Sequence, residues 1–253
     1  MLLLAPLLLL LLIGYVGELR DARSLAHDRR EFFRSPIARA TAVFVALISL
    51  PWLTVHHLAW PSPWIDDQHF LFIASLFVSA LISFTWYRYL TWLDPFEREP
   101  ARWEITIFLM ACSITLVVPD GYRWLEDRFG FGLTGDHWND WWYCVGVIGG
   151  LEETAKLLPL LFVWRFTRQV NEPYDYLLYA SISALGFAFV ENVGYLRGSA
   201  LDAVMGRAVM ASVAHMFFSS IPAYGLAIAL HRGKGLLLPR VLGLLALAAL
   251  CHG

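Results

Sequence analysis

The chain has 253 residues, of which 58% are hydrophobic and only 16% charged, and its net charge is −2. Soluble domains carry roughly 25% Asp, Glu, Lys and Arg, so a chain this apolar needs a bilayer to take up its surface. The faintly acidic balance gives no footprint for a nucleic-acid partner.

In chain order, apolar runs over about 1–17, 37–58, 70–92, 104–119, 142–164, 176–197, 208–230 and 237–253 predict about eight membrane helices. The expected fold is an all-α, polytopic transmembrane helix bundle. No repeat or low-complexity linker interrupts it, so residues 1–253 read as a single membrane domain. The first run is short but lacks a basic n-region, and it reads as a first span or signal anchor rather than a cleaved leader. The last run stops at Gly253, partway into an apolar helix. A free carboxylate in hydrocarbon is costly, so the natural chain is expected to continue.

Many tryptophans stand near the ends of these runs (Trp60, Trp64, Trp92, Trp103, Trp138, Trp141, Trp142), as interfacial belts require. Cys112, Cys144 and Cys251 lie in or beside apolar runs and read as small core residues, with no disulfide framework. Residues 120–141, with Asp136, His137 and Asp140, read as an interfacial loop, a substrate-gating cover being the alternative.

Lys and Arg set the orientation. Arg20, Arg23, Arg29, Arg30, Arg34 and Arg39 follow the first span, and Arg88, Arg98 and Arg102 surround the end of the third. Arg165 and Arg168 follow the fifth, and Arg232, Lys234 and Arg240 the seventh. The opposite side has Arg123, Arg128, Arg197 and Arg207. Positive-inside bias puts the first set in the cytoplasm and the N-terminus on the extracytoplasmic side.

Polar residues break the apolar pattern inside four spans. The fifth carries Glu152, Glu153 and Lys156, the sixth Glu191 and Asn192, the seventh His215 and Ser219, and the eighth His252. Each charge at mid-bilayer costs about 2.5–3.5 kcal/mol on insertion scales, so adjacent glutamates there need a reason. Glu152 and Lys156 are four apart, as are His215 and Ser219, and each pair shares a helix face. At 1.5 Å per residue, Glu152, Glu191 and His215 lie roughly 9–15 Å below the outer surface. His252 reaches similar depth from the other side, so one cluster in the outer half of the bilayer is expected.

Two carboxylates and two imidazoles can hold a metal with an open position for water. They can equally act without one, a buried Glu serving as general base while His faces an oxyanion. Taken singly, each group also has a plain reading: Glu153–Lys156 as a structural ion pair, His215 as an interhelical hydrogen bond, Ser219 as packing. A proton- or ion-coupled transporter uses similar chains, and a scaffold or sensor would use the cluster only to fix helix packing.

The motifs resemble those of the PrsW-type intramembrane proteases, in the wider group of CAAX prenyl proteases and bacteriocin-processing enzymes. The family's EExxK stands here as Glu152-Glu153-Thr154-Ala155-Lys156, and its FxxxEN as Phe187 to Asn192. His215 and His252 match its two later histidines, and Glu97-Arg98-Glu99-Pro100 its E-x-E-P element. The likeness covers about residues 88–253 as a protease-like core, leaving residues 1–87 unexplained. Family members carry an Asn or Asp three or four positions after the last His, beyond Gly253.

The resemblance implies an intramembrane endopeptidase that hydrolyses a membrane-anchored protein substrate from the extracytoplasmic side, as in regulated proteolysis of an anti-sigma factor. It implies a multi-pass location, expected in the bacterial cytoplasmic membrane. Glu152, Glu153, Glu191, His215 and His252 are the expected catalytic set, with Glu152 favoured to activate water and Lys156, Asn192 and Ser219 in support. The family has been described both as metal-dependent and as metal-free. If a divalent metal such as zinc is bound, Glu191, His215 and His252 are its expected ligands.

Overall fold

The computed structural model of the protein describes residues 67–93, 97–199, 206–232 and 237–253, with shorter stretches between residues 16 and 45 and a few residues at 201–204. Every regular element among the described residues is helical. The chain divides into two compact units, Met1–Leu50 and Pro51–Gly253. In the first, α1 (Arg29–Arg34) carries Glu31 in its first turn and Arg34 in its last, as the helix dipole favours. The expected spans at 1–17 and 37–58 fall largely outside the described residues.

The second unit runs through α2 (Gln68–Leu93), α3 (Ala101–Thr115), α4 (Val118–Phe129), α5 (His137–Tyr143) and a π-helical segment (Cys144–Gly149). It continues with α6 (Gly150–Phe166), α7 (Pro173–Gly198), a second π-helical segment (Gly206–Ala211), α8 (Ser212–Arg232) and α9 (Leu237–His252). Among the described residues, four helical stretches are long and apolar enough to cross a membrane: Gln68–Thr91, Ala101–Phe129, Pro173–Gly198 and Gly206–Leu230. Leu238–His252 is apolar but shorter. The run expected at 142–164 is helical throughout, yet its acidic pair and Lys156 keep it outside those four.

The expected loop at 120–141 is largely helix. Pro119 suits the first turn of α4, Asp120 and Arg128 match its dipole, and Gly130 closes it with a left-handed φ of 63°. Asp136 caps α5 by accepting from the Asn139 backbone N–H. Short amphipathic helices of this kind are rich in charge, so they read as loop in a sequence sorted by hydropathy.

Helix α7 sits at the centre. A capping box starts it: the Glu172 side chain accepts the Asp175 backbone N–H and the Asp175 side chain accepts that of Glu172, and Pro173 fills the first helical position. It is then buried on nearly every side from Asp175 to Ala188, as befits a helix without a polar face. Lipid is as apolar as the core, so close fit rather than burial from water must hold it. The fit comes from small residues. α2, packed on α7, buries Ser75, Ser79 and Ser83 in one stripe. α3 buries Glu104, Ile107, Ala111 and Thr115, spaced three or four apart. Gly186 of α7 lies so close to the Phe108 carbonyl and Ala111 that a Cβ has no room. Ile107, Leu160, Val163, Tyr179, Ile182 and Leu226 form the core between α3, α6, α7 and α8.

The E-x-E-P element ties two links together at the start of α7. Glu97 accepts from Asn171 Nδ2 at 3.1 Å. Glu99, buried in the extended link before α3, accepts from the Tyr179 hydroxyl and shares a hydrogen bond with the Asp175 carboxyl. Burial pushes the Glu99 carboxyl up from 4.5 to about 7, with the Asp175 charge adding to it and the Tyr179 bond opposing it. Between those values the folded chain holds a proton that the unfolded chain has released, so stability falls as pH rises. Glu99→Gln is expected to flatten the decline of melting temperature between about pH 4.5 and 7 that the unsubstituted chain shows in detergent. An unchanged slope in the variant would assign that decline to another group.

Candidate active site

The acidic pair is presented at the start of α6, just after the Cys144–Gly149 π-helical segment. Such segments shift the register of a helix face and recur at functional sites. Glu152, Lys156, Pro159 and Val163 then lie along one buried face, and Glu153, Leu157 and Leu160 along its neighbour. Gly149 lets the α9 backbone approach at Ala249 with no room for a Cβ. That contact brings His252 to the two glutamates.

Lys156 is the hub. Its ammonium donates to Glu153 Oε1 at 2.9 Å and to His215 Nδ1 at 2.8 Å. It also lies 3.5 Å from Glu152 Oε2 and 3.3 Å from His252 Nδ1. The Phe187 ring covers it, 4.3 Å from centroid to Nζ. Phe187 of the FxxxEN pattern thus packs and also faces a cation.

The partners fix the state of His215. Glu191 Oε2, 2.9 Å from Nε2, can only accept, so Nε2 carries the proton and Nδ1 takes the Lys156 bond. His252 bridges both glutamates, with Nδ1 2.7 Å from Glu153 Oε1 and Nε2 3.3 Å from Glu152 Oε2. Phe218 stacks on its ring. Ser219 donates to Glu153 Oε2 at 3.3 Å. Glu153 is therefore engaged at both oxygens, and its side chain is 0% exposed. Glu152 is 7% exposed.

Glu191 joins at one remove. It touches His215, and its Oε2 also accepts from Arg207 Nη2 at 2.7 Å. Asn192 points the same way: its Oδ1 accepts from Arg207 Nε at 2.6 Å, and its buried Nδ2 has no hydrogen-bond partner among the described residues. Arg207 lies on the second π-helical segment, which Trp86 of α2 holds by donating to the Ala208 carbonyl. The site thus sets three carboxylates against two basic side chains, Lys156 and Arg207. One negative charge is left for an imidazolium or a metal to meet.

Sequence reasoning missed two residues of this site. Arg207 reads as a loop charge next to the seventh apolar run, although eight residues before His215 is a shared helix face. Tyr122 of α4 donates to Glu152 Oε1 at 2.7 Å. An interfacial tyrosine among so many aromatics gives no signal in the sequence.

One carboxylate oxygen of Glu152 and one nitrogen each of His215 and His252 lie within 4.8 Å of one another. A carboxylate and two imidazoles are a zinc-type donor set with room for water, so the donors fit such an ion chemically. This candidate group contains Glu152 in place of the Glu191 expected beside the two histidines, and Glu191 bonds His215 from outside it, as carboxylates behind metal-bound histidines do. The Lys156 ammonium draws on both imidazoles of the set. A separate cavity of about 170 Å³ near the start of α7 is lined by Tyr87, Arg88, Glu99 and Glu104 and by none of these residues.

Comparison with known proteins gives the chain relatives of a single name. The chain is 28% identical over 159 residues to a protein named Protease PrsW from Clostridioides difficile, covering 61% of this chain and 63% of that one. Shorter matches join it to proteins of the same name from Geobacillus kaustophilus, 34% identical over 28% of this chain and 32% of that one, and from Oceanobacillus iheyensis, 35% identical over 29% and 34%. The aligned part thus spans less than two thirds of the relatives' own length. No solved structure gives a significant match. The family profile for PrsW family intramembrane metalloprotease matches residues 99–253, which hold every residue of the cluster just described. The chain is an integral membrane protein and belongs to the PrsW family.

Proposed function

We propose that the protein is an intramembrane endopeptidase that hydrolyses a peptide bond of a membrane-anchored protein, reached from the extracytoplasmic side of the bacterial cytoplasmic membrane. Regulated cleavage of the anti-sigma-factor type is the corresponding role. The observation that carries this reading is the closed set of Glu152, Lys156, His215 and His252, buried among apolar helices in a chain of this family.

Glu152 is the group that activates water: its Oε2 has only the longer contacts to Lys156 and His252, 3.5 and 3.3 Å, whereas Glu153 is fully buried and bound closely by both Lys156 and His252, at 2.9 and 2.7 Å. It takes one proton from water as the new C–O bond forms. That proton passes to the leaving amine as the C–N bond breaks. Lys156 offers charge for the oxyanion formed between these steps, and His215, whose one N–H goes to Glu191, positions that ammonium through Nδ1. Glu153 holds Lys156 and His252, while Glu191 and Arg207 hold His215. If a divalent ion such as zinc is bound, Glu152, His215 and His252 hold it, and it supplies Lewis-acid polarisation and a more acidic water.

The test is reconstitution of the purified protein in liposomes with a single-span reporter, alongside elemental analysis for bound metal. Cleavage inside or at the outer edge of the reporter's span, lost in His215→Ala, is the expected result. An intact reporter together with pH-driven solute uptake would replace the protease by a carrier.

A further inference from the structure

The proposed reaction gives Glu152 a task, and one short hydrogen bond to its carboxylate comes from outside the helices that carry the rest of the site. Tyr122 donates to Glu152 Oε1 at 2.7 Å, whereas Lys156 and His252 stand 3.5 and 3.3 Å from Oε2. Tyr122 lies on α4, which has no buried residue of its own. The helix is set off by the Leu116–Val117 turn before it and Gly130 after it. A Cβ added at Gly121, the preceding residue, would touch Leu151, the neighbour of Glu152, at 3.4 Å. The ion pair of α4, Asp120 with Arg123, is exposed and takes no part. The helix therefore delivers a single polar atom to the site, and delivers it to Glu152, the less buried of the two adjacent carboxylates.

We propose that Tyr122 is a positioning residue of the hydrolytic site, its phenol fixing one oxygen of Glu152 so that the other is held at the centre of the site beside Lys156 and His252. A donor to a charged carboxylate orients it as well as stabilises it, and small losses of alignment cost rate rather than binding. A tether role for α4 alone would make the same contact with no consequence for turnover. The proposal rests on the protease reading, and the experiment separates the two.

Tyr122→Phe keeps the ring and removes one oxygen, and nothing buried depends on that oxygen except Glu152. In the liposome assay kcat is expected to fall roughly 10- to 100-fold with KM within about twofold, the scale of one lost hydrogen bond to a charged group. In a Glu152→Gln background the same change is expected to alter the residual rate by less than about twofold, because its partner is gone. A readout without turnover is the Glu152 carboxylate band, isolated by infrared difference spectroscopy against Glu152→Gln, which Tyr122→Phe is expected to shift. Wild-type kcat in Tyr122→Phe, equal losses in both backgrounds, or an unmoved band would each overturn the positioning role while leaving the protease in place. Absence of cleavage by the unsubstituted protein would overturn the protease reading, and the positioning role with it.

Discussion

Glu152→Gln is expected to lower cleavage by about 10²–10⁴-fold, the scale of a lost general base, with the melting temperature nearly unchanged. Glu153→Gln, one residue on, is expected to act the other way round, through stability. Glu153 is the closest anionic partner of Lys156 and also bonds His252 and Ser219. Its loss would leave a fully buried ammonium with Glu152 alone, at 3.5 Å. Removing one partner of a buried pair costs about 3–5 kcal/mol, a large share of the stability of most domains. Rate and melting point measured on both variants in one detergent decide the matter. A stable but inactive Glu153→Gln beside an active Glu152→Gln would exchange the two roles.

The cluster was legible in the sequence because charge inside an apolar run is expensive and therefore conspicuous. Glu152, Glu153, Lys156, Glu191, His215 and His252 all stand out on that ground, and the four-residue spacing of Glu152 and Lys156 already puts them on one face. The order within the cluster was not legible. Which glutamates meet His252 depends on how α9 approaches α6, and Gly149 against Ala249 sets that approach. The sequence offers Gly149, Gly150, Gly186 and Gly194 alike as places of close helix approach, and only the fold shows that Gly149 and Gly186 are the two without room for a Cβ. Arg207 was hidden by its place at the edge of an apolar run, where a cation is commonplace. Tyr122 was hidden because α4 and α5 are short and charged, and hydropathy sees them as one loop. The helical bundle itself followed from composition, since a chain this apolar has few ways to satisfy its backbone in lipid.

Lys156→Met is the change that tests what the centre of the site is built to hold. The ammonium is 0% exposed and draws on His215 Nδ1, Glu153 and, more distantly, His252 and Glu152. These include all three residues of the zinc-type set. A divalent ion and an ammonium cannot share the same lone pairs, so the two cations exclude one another at His215 Nδ1. Methionine fills the space without the charge, leaving two carboxylates 0% and 7% exposed with no lysine between them. The variant is expected to lose about 3–5 kcal/mol of stability in metal-free buffer. Added zinc is expected to restore part of that loss in Lys156→Met, because an ion that binds only the folded chain stabilises it by mass action. In the unsubstituted protein zinc is expected to raise the melting temperature less, since Lys156 must first give up its place. Elemental analysis of both proteins after dialysis gives the same comparison without heat. If the unsubstituted protein retains one zinc per chain and Lys156→Met retains none, the lysine supports the ion instead of excluding it. Lys156 would then belong to the shell that holds the glutamates, and Glu152, His215 and His252 would face a metal from the start.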